Sequence, residues 1–181
     1  MKFSLEALIA KETDDDAVVS ATELESAADL SAEASDLANA EGRLVASVDG
    51  TELFGEYIQE PIVRLVDGWL RKLPWIIGGD TETVALRNSE QCFAFVPTGE
   101  SVELTFFVGT EAEIEEYIAE PTVVRLELFV EQSLAVGQRM VRLLRRLDES
   151  LLETNEDCRD LLTSLTEAER AWHDYELHNR R

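Results

Sequence analysis

Three short runs of β-branched and aromatic residues between positions 83 and 108 constrain the fold more than any other part of this sequence. The runs are Thr83–Leu86, Cys92–Val96 and Ser101–Val108, and short segments rich in Asn, Ser, Pro and Gly separate them. Runs of about four to eight such residues between turn-forming residues are typical of strands connected by hairpins. The sequence therefore predicts an antiparallel meander whose apolar face needs a covering layer.

A hairpin and a long amphipathic helix precede the meander. Asp49-Gly50 lies between two alternating apolar runs, and this dipeptide favours the type I′ turn of a two-residue hairpin. Pro61 can begin a helix, because its missing N–H would have no helical partner there. Pro74 disfavours helical conformation at the residue before it, so we expect the helix to end at Leu73. Gly68 within it is a candidate for a close backbone approach. Apolar residues at helical spacing predict one stripe facing the sheet: Ile62, Leu65, Val66, Trp69, Leu70 and Leu73.

A last strand and a second long helix are predicted after the meander. Alternating apolar residues indicate a strand over residues 122–129, and from residue 130 the spacing becomes helical and continues to about 152. The stretch 111–121 is compatible with strand, helix or loop. Residues 153–181 are predicted to form a helical C-terminal segment, with Thr166–Glu169 as a capping box.

The N-terminal 42 residues divide into two parts. Alternating apolar residues predict a strand over residues 1–10, with a short amphipathic helix as the alternative. From Glu12 to Glu41 the chain has ten acids and no base, and its leucines, Leu24, Leu30 and Leu37, are too sparse to cover a core. Low hydrophobicity with charge of one sign is typical of a mobile segment. We therefore predict that residues 11–42 are an acidic linker or excursion and that 43–152 form the core.

Together these elements predict an α+β protein. Its mostly antiparallel sheet has about six strands, formed by the hairpin plus the meander, and two long helices cover one face. The helical C-terminal segment completes the domain. In architecture this plan is similar to small bacterial immunity and accessory proteins.

One segment of the sequence recurs. Glu56–Pro61 reads EYIQEP, and sixty residues later Glu116–Pro121 reads EYIAEP. A duplicated strand–strand–helix unit would predict a strand over Glu113–Ile118 and a second helix that begins near Pro121. Coincidence is the interpretation we favour.

The chain is strongly acidic. It has 38 acidic and 16 basic residues, a formal charge of -22, and only three lysines: Lys2, Lys11 and Lys72. Such a charge repels phosphate backbones and argues against binding to nucleic acid. Acid excess with few lysines predicts adaptation to near-saturating salt, where screening acts over about 3 Å. Mimicry of DNA is the less favoured explanation.

No membrane segment or export signal is expected. No run approaches the ~20 apolar residues of a membrane span. The N-terminal apolar run is already broken by Glu6, which makes a poor signal peptide. A cytoplasmic location is therefore predicted.

Motifs for catalysis or cofactor binding are missing from the sequence. It contains no nucleophile elbow, phosphate-binding loop, dinucleotide motif or zinc spacing. We therefore predict no catalytic residue, cofactor or metal ligand. Cys92 lies in an apolar strand and is expected to be a small buried side chain.

The basic cluster Arg139, Arg142, Arg145 and Arg146 supplies the candidate partner-binding residues. Arg139, Arg142 and Arg146 share one helix face, and guanidinium groups hold carboxylates in bidentate geometry. Pairing with the chain's own acids is the alternative, and we favour it.

The functional prediction is a non-catalytic cytoplasmic protein, adapted to high salt, that binds another protein in an interaction, accessory or immunity-like role. A homo-oligomer is compatible with the sequence. The alternative is a small-ligand-binding protein or an enzyme that uses the uncovered face of the sheet.

Overall fold

Two antiparallel sheets organise the computed structural model, which describes residues 1–11, 14–110 and 113–179. The first sheet is built from β1 (Phe3–Lys11), β2 (Asp14–Ser20), β3 (Glu41–Val48), β4 (Thr51–Glu52) and β5 (Glu60–Pro61). Its strand order is β2-β1-β3-β4, and β5 also pairs with β3. Between β2 and β3 lie helices α1 (Ala21–Glu25) and α2 (Leu30–Glu33) and a 3₁₀ turn, Leu37–Asn39.

The second sheet follows helix α3 (Ile62–Gly78), which connects the two sheets. Its strands are β6 (Glu82–Ala85), β7 (Gln91–Thr98), β8 (Ser101–Thr110) and β9 (Glu113–Arg125), in that spatial order. The chain then forms α4 (Leu126–Leu147), the short α5 (Leu151–Thr154) and α6 (Glu156–Asn179).

Trp69 of α3 lies at the centre of the core. Its ring is 5.3 Å from Phe93, 4.7 Å from Phe95 and 5.8 Å from Phe129, measured between centroids. These partners belong to β7 and α4, so one side chain joins both long helices to the inner face of the second sheet. The tilted and edge-to-face ring pairs add to the stabilisation from burial alone.

The predicted α+β class is confirmed, with antiparallel strands, long helices and a helical C-terminal segment. The strands number nine among the described residues and divide between two sheets, whereas one sheet of about six was expected. The additional strands include β2, within the predicted linker, and the short β5, while residues 113–121, which the sequence leaves undecided, extend the predicted last strand. The Asp49-Gly50 turn is confirmed, with φ of 51° and 86° at its two residues.

The predicted end of the first long helix is wrong. α3 continues through Pro74 to Gly78, and Gly79 with φ of 97° ends it by donating its N–H to the carbonyl of Ile76. Burial of Ile76 in the final turn offsets the hydrogen bond that proline cannot make. Gly68 does not mark a close approach, because an added Cβ would lie 3.6 Å from Val84, an ordinary contact distance.

The predicted boundary between the last strand and the second long helix is also displaced. β9 occupies 113–125 and α4 occupies 126–147, so Leu126 and Phe129 are buried helical residues instead of alternating strand positions. Residues 113–121 are strand, while 111–112 lie outside the described residues. The capping box predicted at Thr166 is wrong because α6 is continuous there, and the Thr166 hydroxyl donates to the carbonyl of Leu162.

The acidic segment before β3 carries structure. Leu24, Leu30 and Leu37 are buried, so the prediction that they are too sparse to reach a core is wrong. Ser20 and Glu23 form a capping box at α1, and Asp29 accepts the N–H of Ala32 at the start of α2. Local caps and long-range burial therefore stabilise a segment of low average hydrophobicity. Glu12 lies outside the described residues, and the mobility of the segment in solution remains a prediction.

The two copies of the repeated segment have different structures. Tyr57 is half-buried in an irregular stretch and its hydroxyl accepts the N–H of Leu44 at 2.7 Å, whereas Tyr117 is exposed in β9. Glu60 is buried, but Glu120 is exposed. The strand expected from a duplication is present, but the second helix begins at Leu126, well after Pro121. The differing environments favour coincidence.

Candidate functional site

Three of the four predicted partner-binding arginines hold the end of α1 against α4. Arg139 Nε lies 2.9 Å from one carboxylate oxygen of Glu25, and Arg142 Nε lies 2.7 Å from the other. Arg146 donates to the backbone carbonyls of Glu25 and Ala27, at 2.8 and 3.2 Å. These contacts bind a carboxylate and two carbonyls left free at a helix C-terminus.

The electrostatics of this arginine face agree with internal pairing. Burial alone would raise the pKa of Glu25, but the hydrogen bonds and charges of Arg139 and Arg142 outweigh it, so the pKa is lowered. Arg145 is exposed and has no hydrogen bond or ion pair with any described residue. The geometry thus favours pairing with the chain's own acids for Arg139 and Arg142, whereas Arg146 binds backbone carbonyls, and a docking role for this face remains a prediction.

The structure presents a different surface that the sequence did not single out, on the side of the second sheet opposite α3. Directly paired residues of neighbouring strands share one face of a sheet. The pairs Cys92–Phe107 and Phe107–Tyr117 therefore lie opposite the inward-facing Phe93 and Phe106. We call this surface the outer face, and it comprises Cys92, Ala94, Val96, Glu103, Thr105, Phe107, Tyr117 and Val123.

The outer face has a buried centre and an exposed apolar margin. Phe107 is only 1% exposed and forms a separate apolar cluster with Cys92 and Ala94. On the neighbouring edge strand β9, Tyr117 is 53% and Val123 is 50% exposed. Ile114 and Ile118 of the same strand are exposed as well. Exposed large apolar side chains on one strand are a feature of surfaces that bind other molecules.

Glu103 places a carboxylate within this apolar surface. Its cross-strand neighbours are Val96 on β7 and Val123 on β9, and its side chain is half-buried. It makes no hydrogen bond or ion pair with any residue that the structure describes. A cationic group supplied by another molecule would find an available carboxylate at this position.

Sequence periodicity could not reveal the outer face because β9 is irregular. The pairing of β8 with β9 shifts register at three places, and each shift interrupts the alternation of side chains along the strand. Ile114, Tyr117 and Val123 consequently have no regular spacing. The informative signal was the number of large apolar residues in a stretch that otherwise carries several glutamates.

The thiols and acids of the described residues provide no recognisable metal centre. Cys92 and Cys158 are both buried and neither forms a disulfide. Burial raises the pKa of the Cys158 thiol to about 11. Within the described ranges, no group of three or more His, Cys, Asp or Glu side chains is placed to hold a metal ion. No helix in that part of the chain is both long and apolar enough to cross a membrane.

Comparisons with known proteins give no relative. No protein-family model matches the chain, and the searches of curated proteins and of solved structures find no significant match.

Proposed function

We propose that this protein acts by binding another protein through the outer face of the second sheet, without catalysis. The observation that carries the proposal is Glu103, which lies between Val96 and Val123 and whose carboxylate has no hydrogen bond or ion pair with any described residue. Val123 supplies exposed apolar area next to it, and Tyr117 supplies more further along the same face. Interfaces commonly combine apolar contacts of this kind with a few charged contacts that set orientation.

Charge indicates the chemistry of the partner. The described part of β9 carries Glu113, Glu115, Glu116 and Glu120, and its one basic residue, Arg125, pairs with Glu127. A second copy docked through the same face would bring acids against acids, which opposes association. We therefore assign the face to a different protein that presents apolar side chains around an arginine or lysine.

Docking involves the face of the sheet rather than its edge. β9 is the outermost strand, but the three register shifts twist it, and Pro121 has no N–H to donate to an added strand. A strand added at this edge could therefore form only an interrupted ladder of backbone hydrogen bonds. Side-chain contacts across the face do not require such a ladder.

The protein that binds in this way is cytoplasmic and adapted to high salt, and its role is accessory or immunity-like. The support for salt adaptation is the charge of -22 with three lysines. Concentrated salt screens long-range attraction, so a partner would be held by close contacts. Apolar burial around one short ion pair is a suitable arrangement for such conditions.

Photocrosslinking from two positions tests the proposal. A photoreactive phenylalanine analogue replaces Tyr117 on the outer face or Ile58, a similarly exposed apolar residue in the irregular stretch between β4 and β5. In the native host at its own salt concentration, position 117 should crosslink one defined protein and position 58 should not. The purified crosslinked protein should then bind the unmodified chain and lose affinity for Tyr117→Ser. Equal crosslinking from both positions, or unchanged affinity for Tyr117→Ser, would overturn the proposal.

A further inference from the structure

The outer face offers its contacts in two rows that cross the strands. The first, which we call the charged row, consists of the directly paired residues Val96, Glu103 and Val123. The second, which we call the aromatic row, consists of Cys92, Phe107 and Tyr117. Glu103 and Phe107 are four residues apart on β8, a separation of roughly 14 Å at about 3.4 Å per residue. A partner that contacts Glu103 and Tyr117 at once must therefore cover both rows.

The part of the outer face between the two rows offers little to select a charged group. Ala94 and Thr105 are paired there, and both side chains are buried. The Thr105 hydroxyl donates its proton to the carbonyl of Ala119 at 2.8 Å, so it has no proton to donate to another molecule. Glu103 is the one charged residue of the outer face as defined above. Selection of a charged group by this face therefore depends on Glu103.

The Glu103 side chain has an apolar neighbour on each side. Directly paired residues of antiparallel strands have Cβ atoms about 4.5–5.5 Å apart, so Val96 and Val123 lie beside the glutamate. The glutamate itself is half-buried. A cation that binds the Glu103 carboxylate must therefore lose part of its hydration shell when it meets the two valines.

The two basic side chains of proteins differ in how well they tolerate that loss of water. The ammonium of lysine is compact and strongly hydrated, whereas the guanidinium of arginine is planar and more weakly hydrated. A guanidinium also donates two parallel N–H groups to the two oxygens of a carboxylate. Molar salt screens long-range attraction, so close contacts of this kind decide which base binds.

From this setting we infer that the outer face selects an arginine of the partner, whose guanidinium binds the Glu103 carboxylate in bidentate geometry. The aliphatic stem of that arginine packs on Val96 or Val123. Apolar side chains of the partner cover Tyr117 in the aromatic row, roughly 14 Å away. This choice of arginine rests on the proposed function, and it adds the identity of the charged group that the outer face recognises.

Reciprocal substitutions in the purified crosslinked partner test the choice of arginine. A photoreactive phenylalanine analogue at Val96 identifies the partner segment that faces the charged row, and each base of that segment is replaced by glutamine. The contacting base is the one whose replacement removes the difference in affinity between the unmodified chain and Glu103→Gln. It should be an arginine, and replacing it by lysine should weaken binding by about fivefold or more. A lysine at that place, no such base, or unchanged affinity after the change to lysine would overturn the inference.

Two conservative variants of this chain test the bidentate geometry. Glu103→Asp keeps the charge but withdraws the carboxylate by one methylene, so it should weaken binding of the partner by about threefold or more. Glu131→Asp makes the same change at an exposed position of α4 and should leave the affinity unchanged. Circular dichroism of both variants checks that they are folded. Equal affinity of Glu103→Asp and the unmodified protein would contradict bidentate binding.

The outcomes for Glu103 and Tyr117 can be told apart. A partner that loses affinity for Tyr117→Ser but contacts Glu103 through a lysine supports the docking face and contradicts the choice of arginine. A partner with unchanged affinity for Tyr117→Ser contradicts the docking face itself, and the choice of arginine fails with it.

Discussion

The indole Nε1 of Trp69 donates a hydrogen bond of 2.9 Å to the hydroxyl oxygen of Ser133, and that hydroxyl donates in turn to the carbonyl of Phe129 at 2.7 Å. This chain of bonds joins α3 to α4 inside the core. All of its polar groups are buried and satisfied, so it fixes how the two helices pack as well as stabilising them. The aromatic cluster around Trp69 depends on that alignment.

Removing the Ser133 hydroxyl should destabilise the protein although the change is small. Ser133→Ala leaves the indole N–H buried without an acceptor, which costs about 1–3 kcal/mol. Trp69→Ala should cost about 3–5 kcal/mol because it also empties the centre of the core. Denaturant unfolding of both single variants and the double variant gives the coupling free energy between Trp69 and Ser133. If the losses in the free energy of unfolding were additive, the hydrogen bond would contribute nothing.

Two helical glycines should respond to alanine in opposite directions. A Cβ at Gly137 would lie 2.5 Å from Leu70 and 3.1 Å from Leu165, so these closely packed side chains must shift to accept it, and overpacking of this kind costs about 1–3 kcal/mol. Gly68→Ala meets no such obstacle and should stabilise by up to about 1 kcal/mol, through helix propensity. Thermal melts of the two variants are matched controls for each other. A destabilised Gly68→Ala protein would contradict the packing described here.

The contact of Glu25 with the arginine face predicts a particular pH dependence. Folding lowers the pKa of Glu25, so its contribution is complete above the unfolded pKa and is lost as pH falls through the lower folded value. Glu25→Gln should therefore cost about 1 kcal/mol at neutral pH. The difference from the unmodified protein should shrink in denaturant melts below about pH 4.

Asp67 is a control, because its contribution to stability should depend on pH in the opposite direction. Burial raises the pKa of this carboxyl despite its hydrogen bond with Ser164 and its ion pair with Arg71. Its contribution is therefore present below the unfolded pKa and is lost as pH rises through the folded value. The stability of the unmodified protein relative to Asp67→Asn should grow as pH falls. If the stability differences caused by Glu25→Gln and by Asp67→Asn changed with pH in the same direction, the opposite pKa shifts assigned to the two carboxyls would be wrong.

Salt should strongly stabilise the fold. The charge of -22 repels itself when unscreened, and the screening length falls from about 10 Å at 0.1 M to about 3 Å at 1 M. Melting temperatures measured from about 0.1 M to 3 M KCl should rise steeply. Equimolar sucrose series separate general osmolyte effects from charge screening. A melting temperature that does not change with KCl concentration would contradict the proposed adaptation to high salt.

Local patterns were sufficient where a residue's environment is set by near neighbours. The apolar stripe placed Trp69 in the core, and Asp49-Gly50 identified its turn, because helix periodicity and turn geometry are encoded over a few residues. Local patterns cannot predict the burial of Leu24 and Leu30, because α1 and α2 pack against α4, which lies far later in the chain. Pro74 predicts a helix end because its local penalty is visible in the sequence, whereas the compensating burial of Ile76 is not.

The candidate site was less predictable than the fold. The arginines were conspicuous as charges, but their partner Glu25 is distant in sequence and could be chosen only by the folded chain. Glu103 gave no signal among 38 acids, since only the pairing of β7, β8 and β9 places it between two valines. The register shifts in β9 concealed the rest of the outer face.

The affinity of the crosslinked partner for charge-reversed proteins tests the central claim most directly. Glu103→Arg should weaken binding by at least about tenfold, because it opposes a basic group in a partly desolvated interface. Replacing the contacting arginine or lysine of the partner by glutamate should restore binding to Glu103→Arg and weaken binding to the unmodified chain. Glu167→Arg, with the same change of charge on exposed α6, should have little effect. Equal affinity for Glu103→Arg and the unmodified protein would contradict the assignment of the outer face as the docking surface.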